Sequence, residues 1–238
     1  MIKDKGLETV NKRIILSEGR KEIIFIVPIT REIYVCPDTY PYNEFEDKLN
    51  EKDLKIPTSP QTISLFYSAF QNIKGEWEFP VSQNLSYLNW ESTGNLYLPK
   101  SNEEVNNGVI LEINPLVDGR GLKMNKSKLI KRLQDNDPLV RFVPFGFKIG
   151  DQSWKELEKN PYVQARYGEE GAERMAKLAS SYSTPRLNSF NSISKETRKL
   201  SGLSSTHWFG TSYLNLSGNL SKLDKGYAHG IQSKKIAS

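Results

Sequence analysis

Two histidines and one cysteine, His207, His229 and Cys36, are this chain's whole supply of the side chains that most readily serve as base, soft metal ligand or thiol nucleophile near neutral pH. One cysteine forms no intrachain disulfide and no thiolate cluster. Neither histidine has an acid at metal-ligand spacing, so no metal and no cofactor is expected. The phosphate-loop, dinucleotide, GxSxG and zinc-protease signatures are absent. Lys148 and Lys155 lie close to Trp154, but lone lysines carry no chemistry of their own. No residue is therefore assigned a catalytic role, and the chain is expected not to be an enzyme. His207, beside Trp208, reads as a surface contact residue, and His229 as a packed residue of a terminal strand.

What the chain does possess is a long uncharged run. Residues 201–221, SGLSSTHWFGTSYLNLSGNLS, contain no Asp, Glu, Lys or Arg, although 26% of the whole chain is charged. Hydroxyl, amide and aromatic side chains alternate there with leucine. Such a mixture suits a contact surface, because Ser, Thr and Asn bond adaptably and Tyr gives contact area at little entropic cost. The expected ligand-binding set is Ser204, Ser205, Thr206, His207, Phe209, Thr211, Ser212, Tyr213, Asn215, Ser217 and Asn219. Trp208, Leu214 and Leu216 are expected beneath it, because a strand turns alternate residues to opposite faces. An edge strand with Ser- and Asn-rich turns and no ligand is the competing reading of the same composition.

These residues need elements to carry them. Residues 12–37 read as strands around a turn at Glu18-Gly19, interrupted by Pro28. A polar loop follows over 38–55. Ser59-Pro60 signals a helix start, with Ser59 as the N-cap, and Ile63, Phe66, Tyr67 and Phe70 share one face. Gly75 comes soon after that helix. Short strands are expected at 76–81, 85–90, 95–99 and 108–113, separated by turns such as Ser92-Thr93-Gly94 and Asn106-Asn107-Gly108. A short helix spans 126–134 and stops at Asp137-Pro138. The apolar stretch 140–147 carries a proline, which confines it to a sheet edge or a bulge. Ser153 and Glu156 form a capping box. Asn160-Pro161 caps a second helix, expected to stop at Gly168. A third spans 171–180 with Ala172, Met175, Ala176 and Ala179 on one face. An ordered loop runs from Tyr182 to Glu196, and strands close the chain at 212–217 and 226–232. The apolar strands near residues 14–28 and 227–231 have no other evident partner and are expected to lie together. The sum is an α+β chain of short antiparallel strands and a few short helices, without βαβ alternation.

The totals bound the partners. The chain is 37% apolar, enough for a globular core, and no apolar run is long enough to span a membrane. No secretory signal is visible at the start, so cytoplasmic synthesis is expected. From Ser183 onward, eight cations face two carboxylates, so the basic excess of a chain of net charge +5 lies in this last part. That excess admits nucleic acid as an alternative partner, in which case the chain would be a basic nucleic-acid-binding or DNA-processing protein.

The last forty residues carry a recognisable layout: Arg198-Lys199-Leu200-Ser201-Gly202-Leu203-Ser204, then Trp208, then Leu214, Leu216 and Leu220, then Gly226-Tyr227-Ala228-His229-Gly230-Ile231. This resembles the C-terminal variable region of proteins diversified by diversity-generating retroelements, in their archaeal and archaeal-virus branch. Residues 140–183 resemble the unvaried part of such proteins, and the Pro57-Thr58-Ser59-Pro60 helix start resembles their first helix. The resemblance implies a C-type-lectin-like single domain related to formylglycine-generating enzymes, here over 13–238 after a polar segment 1–12, with a variable region at 200–228. It also implies a hypervariable face that binds an unknown protein or glycan in receptor binding or adhesion, at a virion or cell surface. Variation in that family comes from adenine-specific mutagenesis of mostly Asn-type codons, which cannot yield Lys, Glu, Gln, Met or Trp. Every residue of 201–221 except Trp208 belongs to the reachable set. The related oxidases use paired active-site cysteines, which Cys36 alone cannot supply. The chain closes with Gly230-Ile231-Gln232, where related folds commonly close with Gly-Phe-Arg or Gly-Val-Arg.

Overall fold

The computed structural model describes residues 15–18, 22–27, 41–51, 54–71, 85–118, 121–208 and 210–233. The segment 76–81, Gly19, Pro28, Cys36, Gly75, Phe209 and the polar segment 1–12 lie outside these residues.

Seven strands form one curled sheet. They are β3 (Asn89–Leu98), β4 (Gly108–Ile113), β7 (Val140–Pro144), β8 (Gly150–Asp151), β9 (Thr184–Asn188), β10 (Thr197–Trp208) and β11 (Thr211–Leu220). Their order across the sheet is β7-β4-β3-β10-β11-β9-β8. Every pairing is antiparallel except β11 with β9, which is parallel. A second sheet joins β1 (Ile15–Glu18), β2 (Glu22–Val27) and β12 (Gly230–Ser233). In it Gly230 stands opposite Val27 and Ile231 opposite Ile26, so the early strands and the terminal strand do meet. β5 (Val117–Asp118) and β6 (Gly121–Leu122) form a small ribbon.

Five helices are described: α1 (Tyr42–Asn50), α2 (Ser59–Gln71), α3 (Lys126–Gln134), α4 (Trp154–Lys159) and α5 (Pro161–Ala179). Their sequence signals largely hold. α3 covers the expected residues, and Asn125, which the sequence reading did not single out, caps it by accepting from Lys128 N–H at 3.0 Å. Ser153 and Glu156 close the capping box of α4. Asn160 accepts from Tyr162 N–H at 3.0 Å, with Pro161 opening α5. Gly168 marks a break in α5 rather than its end: at φ 77° and ψ 169° it is non-helical, and the helix resumes beyond it.

Other expectations are corrected. Residues 42–50 are a helix within the expected polar loop, because Tyr42, Phe45 and Leu49 at i, i+3 and i+7 supply a buried stripe. Ser59 lies inside α2 rather than capping it, its hydroxyl being engaged elsewhere in the core. Residues 89–98 are one strand, and Ser92-Thr93-Gly94 sits buried within it instead of turning the chain. The loop after Tyr182 contains β9. By contrast Asn107, at φ 49°, does turn the chain before β4, and β7 does lie at the sheet edge.

The two halves of the large sheet are covered differently. Beneath all of it lies the main core. There Ile63, Phe66, Leu157, Val163 and Met175 of the helices meet Tyr97, Val109, Leu111, Leu203, Leu214 and Leu216 of the strands. Over β3, β4 and β7 the opposite face is covered as well, by Met124 and by Leu129 of α3 against Leu96, Leu98 and Ile110. A third cluster gathers Tyr42, Phe45 and Leu49 of α1 around Trp90, Leu200 and Tyr227. Burial therefore alternates along β9 and from Tyr213 to Leu216 of β11, whereas every residue of β3 and β4 is buried.

Candidate functional site: the outward face of the β10–β11 hairpin

Leu203 stands opposite Leu216, and Ser205 opposite Leu214, so these four share the inner face. Leu203, Leu214 and Leu216 are fully buried there. Each such side chain contributes about 1.5–3 kcal/mol by leaving water. Ser204 opposite Asn215 and Thr206 opposite Tyr213 then share the outer face. β9 extends this face, with Thr184 beside Tyr213 and Arg186 beside Asn215, and β8 adds Asp151 beside Arg186.

The expected binding set divides on this register. Thr206 is exposed, and Ser204, Thr211, Ser212, Tyr213, Asn215 and Asn219 are half-buried. They are less open than expected because neighbours lean on them. Asn215 donates an amide hydrogen to Thr206 Oγ1 at 3.4 Å, the Ser183 amide donates to Ser212 Oγ at 3.0 Å, and the Arg186 guanidinium lies 5.2 Å from the Tyr213 ring centre.

Two members are buried. Ser205 is buried because it lies across from Leu214, its amide donating to Leu85 O at 2.5 Å. Ser217 is buried too, although its pairing with Gly202 continues the register of Ser204 with Asn215; the bulge comes only beyond it, between Leu200 and Gly202. In backbone register His207 stands opposite Ser212 and Trp208 opposite Thr211. Their side chains, and Phe209 altogether, lie outside what the structure describes. His229 is packed as expected, edge-on to Phe66 and Tyr227 with ring centres 5.7 and 5.1 Å away, but it precedes the terminal strand, which begins at Gly230 rather than at 226.

The bulge is held by a buried polar cluster that the sequence reading missed. Arg166 of α5 is fully buried, donating to Gly202 O at 2.9 Å and to Ser217 O at 3.0 Å. One guanidinium thus takes carbonyls from both hairpin strands. It also donates to Glu91 of β3 at 2.6 and 3.0 Å. Ser59 Oγ and the Tyr167 hydroxyl complete the bonds to Glu91, Tyr167 at 3.1 Å. Burial works against the Arg166 charge, but Glu91 beside it and the tyrosines Tyr167 and Tyr162 hold its pKa above the ordinary range. A fully bonded pair of this kind specifies an arrangement, and removing one partner leaves the other charge buried alone. Nearby, Tyr162 donates to Asn95 Oδ1 at 2.7 Å and Tyr97 to Gly218 O at 2.9 Å. Gly218 has no room for a Cβ, which would collide with the Tyr162 hydroxyl.

The outer face itself bears one ion pair, Arg186 with Asp151, whose second contact is 3.1 Å. The Arg186 guanidinium beside Asp151 lowers that carboxyl's pKa. Arg198 is likewise paired, with Glu196. The basic excess of the C-terminal part is thus partly neutralised in place. Among the described residues no group of three or more His, Cys, Asp or Glu could hold a metal ion, and no helix is long and apolar enough to cross a membrane. The hairpin thus presents hydroxyl, amide and aromatic side chains outward over a backing of buried leucines. Compared with known proteins, the chain matches no family model, no curated protein and no solved structure.

Proposed function

We propose that this chain is a non-enzymatic ligand-binding protein that displays an exchangeable surface on a C-type-lectin-like scaffold, a variable protein of the retroelement-diversified kind. Its ligand is a protein or glycan on a target surface, and its role is receptor binding or adhesion for a virus or a cell. The observation that carries this reading is the division of labour along β10 and β11. Leu203, Leu214 and Leu216 are wholly buried, while Ser204, Thr206, Tyr213 and Asn215 face outward from the same strands. An outward side chain that the core does not use can change without harm to the fold, which a diversified surface requires. The meeting of β2 with β12 and the single mixed architecture support the scaffold assignment.

The experiment is DNA sequencing around the coding region. The proposal expects a near-copy of the segment encoding residues 200–230, beside a reverse-transcriptase gene, differing from it at adenines. Absence of such a copy from the complete genome, or differences scattered over all four bases, contradicts it.

A further inference from the structure

A half-enclosed cleft of about 180 Å³ lies between α1 and the chain that joins β4 to β5. It shares no residue with the hairpin face. Tyr42, Glu46 and Asn50 line it from α1, and their spacing of four puts them on one side of that helix. Lys55, Ser92 and Asn114 line it from the other segments. Some of these groups are already satisfied. Ser92 Oγ donates to Asn114 Oδ1 at 3.2 Å, and the Asn114 amide donates to Ser92 O at 2.8 Å. Asn114 is held at φ 58° by this arrangement.

Glu46 is different. It is half-buried and makes no ion pair or hydrogen bond with a described residue. Burial, with Asp47 beside it, raises its pKa above the usual carboxylate value, the mark of a charge without a countercharge. Lys55 lines the same cleft without bridging to it. The cleft thus offers one carboxylate and one ammonium, unpaired with each other, among amide groups. A lone cation would be attracted by Glu46 and repelled by Lys55, and a lone anion the reverse. A molecule bearing both charges satisfies both. At about 30 Å³ per water-sized group, the space admits roughly six non-hydrogen atoms.

We propose that this cleft binds a small zwitterion of the α-amino-acid class, with its ammonium against Glu46, its carboxylate toward Lys55, and Asn50 and Asn114 bonding to its polar edges. The site is independent of the hairpin face, so its test leaves the display reading untouched. The test is an NMR titration of the full chain with L-alanine, methylammonium and acetate, followed through the side-chain amides of Asn50 and Asn114. Alanine should shift these signals with a dissociation constant on the order of 1 mM, as suits so few atoms. Methylammonium and acetate should each bind about tenfold more weakly, the value of one lost charge contact. Glu46→Gln and Lys55→Gln should each weaken alanine by about tenfold. Lys55 is exposed, so its variant reads out binding even if Glu46→Gln were to disturb α1. No shift with alanine, methylammonium binding as tightly as alanine, or alanine binding unchanged in Lys55→Gln would each overturn the proposal.

Discussion

Arg166 bonds to the carbonyls of Gly202 and Ser217, which lie opposite each other on two strands, while its countercharge Glu91 belongs to a third. Arg166→Met leaves the Glu91 carboxylate buried with only hydroxyl partners and should cost about 3–5 kcal/mol in urea unfolding. The double variant Glu91→Leu with Arg166→Met should recover part of that loss, since no charge is then stranded. A loss below about 1 kcal/mol in the single variant would mean water reaches the pair. His229 offers a second test at this scale. Burial pushes its pKa down to about 3 from 6.5, so as pH falls the unfolded chain takes up the proton first. Stability contributed by the neutral imidazole is complete above pH 6.5 and is lost as pH falls toward 3, with a limiting slope of about 1.4 kcal/mol per unit. His229→Phe should flatten the fall between about pH 6.5 and 5 relative to the parent, measured by denaturant melts at each pH; parallel curves would mean that the imidazole is accessible. One part of this chemistry was legible: Val163, Arg166 and Tyr167 fall at i, i+3 and i+4, so an arginine occupies an apolar helix face. Its partners were not, because Glu91, Ser59 and the carbonyls of Gly202 and Ser217 come from distant segments that only the fold brings together.

Elements were readable where a local rule sets them and unreadable where distant pairing does. The caps at Ser153 and Asn160 each use a side chain within three residues of its partner and were read from the sequence; the Asn125 cap obeys the same local rule but was not singled out. β9 has no such cue. It pairs with β11 across more than twenty intervening residues, and so Thr184 and Arg186 escaped the expected binding set. The helix at 42–50 was hidden by its acidic residues, of which Glu44 and Asp47 are exposed while Tyr42, Phe45 and Leu49 fill the inner side. Gly168 gives a prediction at this scale. Its φ of 77° with ψ of 169° is open to glycine and strained for other residues. Gly168→Ala has nothing to collide with, yet should cost about 1–3 kcal/mol through backbone strain alone. A neutral result in thermal melts would mean that α5 can run through the break unkinked.

At the scale of the molecule, one sheet serves two purposes. Both faces of β3, β4 and β7 are covered, and so is the Leu200 and Leu220 part of β10 and β11, whereas Ser204, Thr206, Tyr213 and Asn215 leave the outer face of the hairpin partly open. The chain's early strands and its last strand meet in the second sheet, which brings the end of the hairpin region back onto the body of the fold. Both the meeting of the ends and the inward leucines could be read from the sequence, since apolar strands without a partner and a period of two need no tertiary knowledge. The bulge could not, and neither could the burial of Ser217 next to it. The central claim is that the outward residues of the hairpin are free of the fold. Urea melts of a variant combining Thr206→Asn, Thr211→Ser, Tyr213→His and Asn215→Tyr, set beside Leu214→Ala, test it most directly. The combined variant should stay within about 1 kcal/mol of the parent, as surface changes do, while Leu214→Ala should lose about 2–5 kcal/mol. A combined variant as damaged as Leu214→Ala would show that the outward side chains hold the structure together, and the display reading would be wrong.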